Sequence, residues 1–335
     1  MATRHRNLVP ALILLAFLGV ACSRSGQASS RTGSLNHVAL DLNVPATFRF
    51  VAFGDTRFHD PADTEAANAA VRRALVAAID KENPAFISIG GDIVYSGENP
   101  KDWEVWDSET ALWRQHKTPV YPALGNHDLH GNLQIALGNY FARFPDLQQS
   151  RFYSLNMGNS RMLVLDSSLE ELSGPQGDWL RSQLDGLPPS VDFVFLIFHH
   201  PVYTSSSDAK TMGGGHSARS PEQALGQFLE EREQHTRARF VIFNGHVHNY
   251  ERHEHGGITY FVTGGGGAHA YPITRHPKDL YQDSGINYHY LLVQVDHEHL
   301  TVTMNKLEFK DGKEVWTQPD SVKITVFATS NAAAR

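Results

Sequence analysis

Five short segments of this chain carry residue types that bind metal ions. In chain order they are residues 54–57, 91–95, 125–128, 199–201 and 245–248. The candidate ligands that they supply are Asp55, Asp92, Tyr95, Asn126, His199, His246 and His248. Carboxylates neutralise the charge of a bound cation, whereas amide and neutral imidazole groups add ligands without adding negative charge. A set of this size predicts a site for two metal ions.

A pair of metal ions held in this way predicts the hydrolysis of phosphate esters. Two cations about 3.5–4 Å apart clamp a phosphate and stabilise the attacking and leaving oxygens together. A single Asp at a strand end is commonly a turn residue, so no segment decides the matter alone. His246 and His248 are more informative, because alternate residues of an extended chain point to the same side. The chemistry is predicted by the joint occurrence of all five segments.

Strands must position these ligands, since an apolar run precedes each of the five segments. The runs are residues 48–53, 85–89, 120–124, 193–198 and 240–243. The run at 193–198 is apolar throughout, which predicts a strand buried on both faces. We expect the five segments to lie at strand ends in one sheet, where they would share a cleft.

The remaining chain alternates between helical and strand patterns. Helices are predicted over residues 63–81, 101–115, 177–184 and 221–233, and further strands near 161–165, 258–263, 289–295, 299–305 and 322–327. A series of α/β units followed by β-rich hairpins indicates one α/β (α+β) domain of two packed sheets with helices outside.

The composition restricts the kind of partner. The chain has 335 residues, of which 41% are hydrophobic, and a formal net charge of −7. This is enough apolar material for a large core. A nucleic-acid-binding surface needs concentrated Lys and Arg, and the sequence has no such patch. We therefore expect a small phosphoester substrate and no nucleic acid.

The N-terminus has the layout of an export signal over residues 1–22. Arg4 and Arg6 precede an apolar stretch at 8–21 that is too short for an ordinary membrane span. Cys22, the only cysteine, follows small residues, as at a bacterial lipoprotein cleavage site. The signal is therefore of the lipoprotein type, with Cys22 lipidated, or it is an ordinary cleaved signal with an incidental cysteine.

The export signal sets the expected location and domain limits. The protein is expected to be periplasmic or anchored to a membrane as a lipoprotein, and otherwise secreted. Membrane attachment would come only through the N-terminal lipid. Residues 23–46 are expected to be a flexible tether, and residues 47–330 the catalytic domain.

Two of the segments resemble those of purple acid phosphatases, within the calcineurin-like metallophosphoesterase superfamily. They are Gly-Asp-Ile-Val-Tyr at 91–95 and Gly-His-Val-His-Asn-Tyr-Glu-Arg at 245–252, and the resemblance covers roughly residues 48–265. The fold that it implies is a four-layer α/β/β/α sandwich, in which two mixed β-sheets are flanked by helices.

The resemblance also implies which residues hold each metal. One ion would bind Asp55, Asp92, Tyr95 and His248, and the other would bind Asp92, Asn126, His199 and His246. Asp92 and a water or hydroxide would bridge the two ions. His199 is preferred to His200 because the ligand in this family lies two residues before a proline. A Tyr phenolate favours a hard trivalent ion, so the expected cofactors are Fe(III) and a divalent ion, Fe, Zn or Mn.

His127 is expected to act on the substrate. By resemblance, Asn126 and His127 hold the phosphate, and His127 protonates the leaving oxygen. Asp128 either orients the imidazole of His127 or is a plain turn carboxylate.

Arg57 departs from the pattern of many relatives, which have a ligand His at this position. Purple acid phosphatases have Gly there and use Tyr as the ligand instead, as Tyr95 would be in this chain. A guanidinium cannot bind a metal, so Arg57 contacts the substrate phosphate or makes a surface ion pair. The loop at 211–220 is either a mobile active-site loop, with His216 or Arg219 touching the substrate, or a plain connection.

Three functions are compatible with these residues. The first is an exported hydrolase of phosphate monoesters, in which metal-bound hydroxide attacks phosphorus. The second is a phosphodiesterase of the same superfamily, acting on cyclic nucleotides or glycerophosphodiesters. The third is a non-catalytic binding protein on an enzyme scaffold. The complete ligand set argues against this third function.

Overall fold

The computed structural model of the protein describes residues 37–206 and 216–326. The predicted signal with Cys22, the first part of the tether and residues 211–215 of the predicted loop lie outside the described residues. Within them, no helix combines the length and the apolarity that a membrane crossing requires.

The described residues form fourteen strands. In chain order they are β1 (His37–Asp41), β2 (Thr47–Phe53), β3 (Ile87–Ile89), β4 (Val120–Pro122), β5 (Phe152–Met157), β6 (Ser160–Val164), β7 (Phe193–Ile197), β8 (Arg239–Asn244), β9 (Tyr250–His255), β10 (Ile258–Thr263), β11 (Tyr288–Asp296), β12 (His299–Lys310), β13 (Lys313–Thr317) and β14 (Ser321–Thr325).

These strands form two mixed sheets. The first has the order β1-β5-β6-β7-β8-β10-β9, and the second has the order β13-β12-β11-β2-β3-β4, with β14 also paired to β12. In the first sheet β7 runs parallel to both of its neighbours, whereas β10 and β9 are antiparallel. In the second sheet β2, β3 and β4 are parallel, and β11 is antiparallel to β2.

Six α-helices accompany the sheets in the described part of the chain. They are α1 (Ala69–Lys81), α2 (Pro100–Glu109), α3 (Ala111–Gln115), α4 (Leu133–Arg143), α5 (Gly174–Asp185) and α6 (Ser220–Glu233). Helix α1 begins later than predicted because the Asp63 carboxylate accepts from the amides of Glu65 and Ala66, which forms a turn instead. Helix α4 was not predicted. Its N-cap is Asn132, which accepts from the amides of Gln134 and Ile135.

Aromatic side chains join the two sheets. The ring of Phe50 on β2 lies 5.0 Å from that of Phe195 on β7, and both residues are fully buried. On the other face of the first sheet, apolar residues of α5 and α6 such as Leu180 and Leu225 pack against Val194 and its neighbours. Two mixed sheets flanked by helices confirm the predicted α/β/β/α sandwich.

Part of the predicted tether is a strand. Residues 37–41, within the 23–46 segment, pair with β5 in parallel, and the His37 ring stacks on Phe152 at 6.1 Å. The reason is a short alternating pattern, in which Val38 and Leu40 are partly buried against the core. The tether prediction is therefore wrong for these residues.

The expectation that all five ligand segments lie at strand ends in one sheet is also wrong. Three of them follow β2, β3 and β4 in the second sheet, and two follow β7 and β8 in the first. Face-to-face packing of the sheets brings the two sets of strand ends to the same edge. The candidate site therefore spans both sheets.

Candidate metal centre

The candidate ligands lie in sharp turns after the strands. Asp55, Asp92 and His246 have positive φ angles of 58°, 53° and 69°. Residues other than glycine seldom adopt this left-handed conformation, and such strain clusters at functional sites. The turns direct the three side chains into the space between the strand ends.

One glycine is required by the close approach of the chain at this edge. A Cβ at Gly125 would lie 2.3 Å from both the backbone nitrogen and Oδ1 of Asp92. Only glycine fits at such a distance, so the residue before Asn126 allows the Asp92 and Asn126 segments to meet.

Four donor atoms form a first group. His199 Nε2 lies 3.1 Å from Asn126 Oδ1 and 3.4 Å from Asp92 Oδ1. His246 Nδ1 lies 3.2 Å from both His199 Nε2 and Asn126 Oδ1. The structure thus brings together all four residues that resemblance implies for one metal.

A second group forms around Asp55 and His248. His248 Nε2 lies 3.5 Å from Asp55 Oδ1, and single atoms of Asp55, Asp92 and His199 lie within 4.8 Å of one another. His248 Nε2 is buried and has no hydrogen-bond partner among the described residues. Such an atom costs free energy unless a further group satisfies it.

The positions of the imidazole protons show that cations fit the first group. His199 Nδ1 donates to the Gly90 carbonyl at 2.9 Å, since a carbonyl can only accept. Burial lowers the pKa of His199, so the ring is neutral near pH 7 and Nε2 carries a lone pair. That lone pair faces the oxygens of Asn126 and Asp92, which also carry lone pairs. A cation placed among these atoms would satisfy their lone pairs together.

The same reasoning applies to the second group. His248 Nδ1 donates to the His269 carbonyl at 2.7 Å, and burial, together with the Arg57 charge, lowers the pKa of His248 well below its usual value. Its Nε2 lone pair is therefore directed towards Asp55. Both groups have the donor types and the fixed tautomers of metal sites.

The pKa values of the two carboxyl groups diverge. Burial and the neighbouring Asp92 charge raise the pKa of Asp55 well above its usual value. Burial alone would raise the pKa of Asp92, but His199 and His127, when protonated at acid pH, and Arg57 hold it well below the usual value. One of these two adjacent carboxyl groups resists ionisation. A bound cation would stabilise both in the ionised form.

The ring of Tyr95 lies between two histidines, and one of them, His127, is bonded to Asp92 through its amide. The ring centroid is 4.7 Å from that of His59 and 5.4 Å from that of His127. Its hydroxyl makes no hydrogen bond to the described residues. The alternative was a Tyr whose hydroxyl is bonded to the backbone beside the cleft. No such bond is present among the described residues.

His127 is tied to the site through its backbone. Its amide donates to Asp92 Oδ1 at 2.9 Å, and its ring Nδ1 donates to the Tyr95 carbonyl at 2.6 Å. Burial lowers the pKa of the imidazole, although Asp92 opposes this shift. The remaining ring nitrogen, Nε2, is the one that can exchange a proton with a substrate.

Asp128 does not orient His127, contrary to that expectation. Its carboxylate is fully buried and accepts from the amides of Ile93, Val94 and Gly125 at 2.9–3.2 Å. Burial and the Asp92 charge raise its pKa to about 8. Asp128 holds the loops after β3 and β4 together. The sequence did not indicate this, because two of the three amides that it binds come from a distant loop.

Arg57 is placed inside the site. Its guanidinium donates to Asp92 Oδ2 at 3.2 and 3.4 Å, and only 13% of its side chain is exposed. The alternative of a surface ion pair is therefore wrong, because the partner is the predicted bridging carboxylate. Its φ of 43° explains why Gly suits this position in the relatives that it resembles.

His216 and Arg219, the two candidate substrate contacts of the predicted loop at 211–220, differ in position. The His216 ring lies 4.8 Å from that of His246 and 5.6 Å from that of His248, so it is close to both donor groups. The guanidinium of Arg219 is bound by Glu222 and by the Ser167 carbonyl.

Two residues that hold His248 were not predicted from the sequence. The His269 carbonyl orients its imidazole, and the Tyr271 hydroxyl accepts from the His248 amide at 3.3 Å. No sequence signal points to a backbone carbonyl, since every residue has one.

Replacing His127 with Ala is expected to separate metal binding from turnover. The backbone amide that orients Asp92 survives this substitution, so the metal content should equal that of the wild type. We expect kcat to fall about 10²-fold, the usual cost of losing an acid/base group. Elemental analysis and steady-state kinetics would measure both. Metal loss from the folded variant would make His127 a ligand and refute its role as a proton donor alone.

Comparison with known proteins shows the family to which the chain belongs. A sequence model of the calcineurin-like phosphoesterase family matches residues 48–250. The structure is similar to a purple acid phosphatase from yellow lupin (Lupinus luteus) seeds, with a TM-score of 0.61, 18% identity and coverage of 84% of this chain and 55% of the lupin chain. This chain therefore spans about half the length of that relative.

Two further structures have the same fold. A dimetal phosphatase from Danio rerio gives a TM-score of 0.52 at 14% identity, covering 84% of this chain and 99% of the other. The anchor in the inner membrane complex of Plasmodium gives a TM-score of 0.54 at 16% identity, covering 86% of this chain and 93% of the other. At such identities the likeness concerns the fold, and these neighbours include an anchor as well as phosphatases.

Proposed function

We propose, on the premise that this chain belongs to the calcineurin-like phosphoesterase family, that it hydrolyses phosphate monoesters with two metal ions. Family membership makes it a metal-dependent hydrolase, and the monoester preference is our inference. The observation that carries the proposal is the position of Asp92 between the two donor groups. Its Oδ1 lies 3.4 Å from His199 Nε2, and it also belongs to the cluster that contains Asp55.

The proposed ligands divide between the two ions as the resemblance implies. Asp55, Tyr95 and His248 would hold one ion, Asn126, His199 and His246 the other, and Asp92 would bridge them. When bound, the ions would supply an activated water nucleophile and positive charge for the phosphate.

The chain's own groups would bind the phosphate and supply a proton. Asn126 is exposed on the open side of the site, where its amide can donate to a phosphate oxygen. His127 Nε2 would give a proton to the leaving oxygen. Because burial lowers the pKa of His127, that proton is present mainly at acid pH and is lost as the pH rises, which supports an acid phosphatase.

Arg57 and His216 complete the proposed substrate contacts. The guanidinium of Arg57 lies at Asp92, and the His216 ring lies at His246, so both are within the site rather than at its rim. A phosphate monoester carries more negative charge than a diester, and the guanidinium of Arg57 favours it.

A substrate pair tests the monoester proposal. We expect kcat/KM for p-nitrophenyl phosphate to exceed that for bis(p-nitrophenyl) phosphate by at least about tenfold, or ~1.4 kcal/mol in the barrier. The opposite order would establish the diesterase alternative, for cyclic nucleotides or glycerophosphodiesters. No turnover of either ester by metal-loaded protein would favour the binding-protein hypothesis. Asp92→Asn, purified in parallel, measures any contaminating phosphatase.

Tyr95 tests the proposed Fe(III) ion. A Tyr phenolate on Fe(III) gives a visible charge-transfer band, and Phe has no oxygen to provide it. We expect iron-loaded wild-type protein to be violet to pink, and Tyr95→Phe to be colourless and to bind iron more weakly. A visible spectrum with elemental analysis measures both. A colourless wild-type protein that holds two Mn or Zn ions would contradict the iron proposal while leaving the metal pair intact.

We also propose that the protein is exported and carries lipid on Cys22. The support is the apolar stretch at 8–21 followed by small residues and the only cysteine. In a bacterial host, the wild type should be in the membrane fraction and Cys22→Ala should be released from it. Wild-type protein that is soluble outside the cytoplasm would contradict lipidation and leave export standing.

A further inference from the structure

A polar network lies behind the candidate ligands His199 and His246, and the proposed mechanism does not use it. Its members are Glu171, Glu222, Arg219, Ser167 and His200. Four of them are buried, with exposed fractions of 2% for Glu171, 0% for Glu222, 2% for Ser167 and 7% for His200. Burying polar groups costs free energy, so a network of this kind indicates that one arrangement of its members is needed.

The network begins at a pair of buried carboxyl groups. The two carboxyl groups lie close enough to interact, and burial together with the Glu222 charge raises the pKa of Glu171 to about 8. Arg219 donates to both oxygens of Glu222 and also, through Nη2, to the Ser167 carbonyl at 2.7 Å. The backbone of Ser167 is thereby fixed relative to the start of α6.

Ser167 determines which nitrogen of His200 carries the proton. Its Oγ accepts from the His200 amide at 3.2 Å and lies 2.8 Å from His200 Nδ1. Because no other acceptor for the Ser167 hydroxyl proton lies among the described contacts, we assign that proton to Nδ1. An Nδ1 that accepts leaves the imidazole proton on Nε2.

The His200 ring lies against two of the candidate metal ligands. The His200 ring packs 4.4 Å from the His246 ring and 5.1 Å from the His199 ring. Nε2 makes no hydrogen bond to the described residues, yet it is not among the polar atoms that are sealed from solvent. Nε2 is therefore open to solvent, in a ring that packs on the candidate ligand His246.

We infer that His200 donates a hydrogen bond from Nε2 to a phosphoryl oxygen of the substrate and that Ser167 holds it in the tautomer that can do so. This inference rests on the proposed function, because the substrate is taken to place its phosphate at the two donor groups. It gives His200 a place in substrate binding, whereas the neighbouring His199 is a candidate metal ligand.

Orthophosphate binding tests the inference without turnover. Calorimetry on metal-loaded protein should show that His200→Ala binds orthophosphate about tenfold more weakly, the cost of one hydrogen bond to a charged group, at unchanged metal content. His200→Gln should recover part of the affinity, since its amide can donate. His289→Gln is the matched control, because His289 is equally buried but both of its ring nitrogens are bonded, to Thr263 and Asn287. It should leave the affinity unchanged.

Nuclear magnetic resonance of ¹⁵N-histidine-labelled protein provides a second readout. We expect the Nε2–H tautomer for His200 in the wild type, its loss as the single form in Ser167→Ala, and a smaller loss of orthophosphate affinity in that variant. An Nδ1–H tautomer in the wild type would overturn the inference. So would unchanged affinity in His200→Ala, or loss of metal from it, which would make His200 only a support of His246. Orthophosphate binding without hydrolysis of any monoester would instead refute the proposed function.

Discussion

Asp92→Asn is expected to abolish turnover and to release metal from both donor groups. Oδ1 of Asp92 faces His199 and accepts from the His127 amide, while Oδ2 accepts from Arg57. An Asn side chain has one oxygen and no charge, and its NH₂ group would face one of these donors. We expect kcat/KM to fall by more than about 10²-fold, which is the largest cost typical of residues that merely support a ligand.

The metal content of purified Asp92→Asn, measured together with its kinetics, checks this expectation. Asp166→Asn is a matched control, since Asp166 is equally buried and also paired with an arginine, Arg151, at 2.6 Å. That variant should lose stability but keep its metal, because its carboxylate belongs to neither donor group. Near-normal activity in folded Asp92→Asn would end the two-metal assignment.

Gly125→Ala is expected to impair the site although it changes none of the candidate ligand residues. The added Cβ would lie 2.3 Å from the Asp92 backbone nitrogen and Oδ1, and 3.0 Å from its Cγ. The Gly125 amide is bonded to Asp128 at 2.9 Å, so the segment cannot move without breaking that bond. Overpacking of this kind costs about 1–3 kcal/mol, and the group displaced in this variant is Asp92, the proposed bridging ligand. We expect a lower melting temperature and weaker binding of both metals.

Gly138→Ala provides the control for this glycine. Gly138 lies in the exposed part of α4, and an added Cβ there would meet no atom within 4 Å. Because alanine favours helix formation, the variant should gain about 0.5–1 kcal/mol and keep both metals. Thermal denaturation and metal titration of the two variants separate a general effect of adding a methyl group from the effect on Asp92. Wild-type metal affinity in Gly125→Ala would contradict the close approach of Gly125 to Asp92.

The sequence alone determined the strands and the types of ligand. Continuous apolar runs such as 193–198 specify a buried strand wherever it is placed, because burial of those side chains is favourable in any arrangement. The residues that follow the runs have donor atoms suited to metal ions, and this property belongs to the side chain itself. The resemblance of two of those segments to purple acid phosphatases implies the superfamily and the sandwich of two mixed sheets, and both are confirmed.

Tertiary structure decided how those groups are used. The His246 amide donates to Asp55 across 191 residues of sequence, and His199 donates to Gly90 across 109. Local patterns contain no information on such distant partners, so the sequence placed the ligands in one sheet rather than two. It also did not show that Asp128 binds three amides. These outcomes depend on packing between segments far apart in the chain, where the cost of a buried, unpaired polar group selects one arrangement.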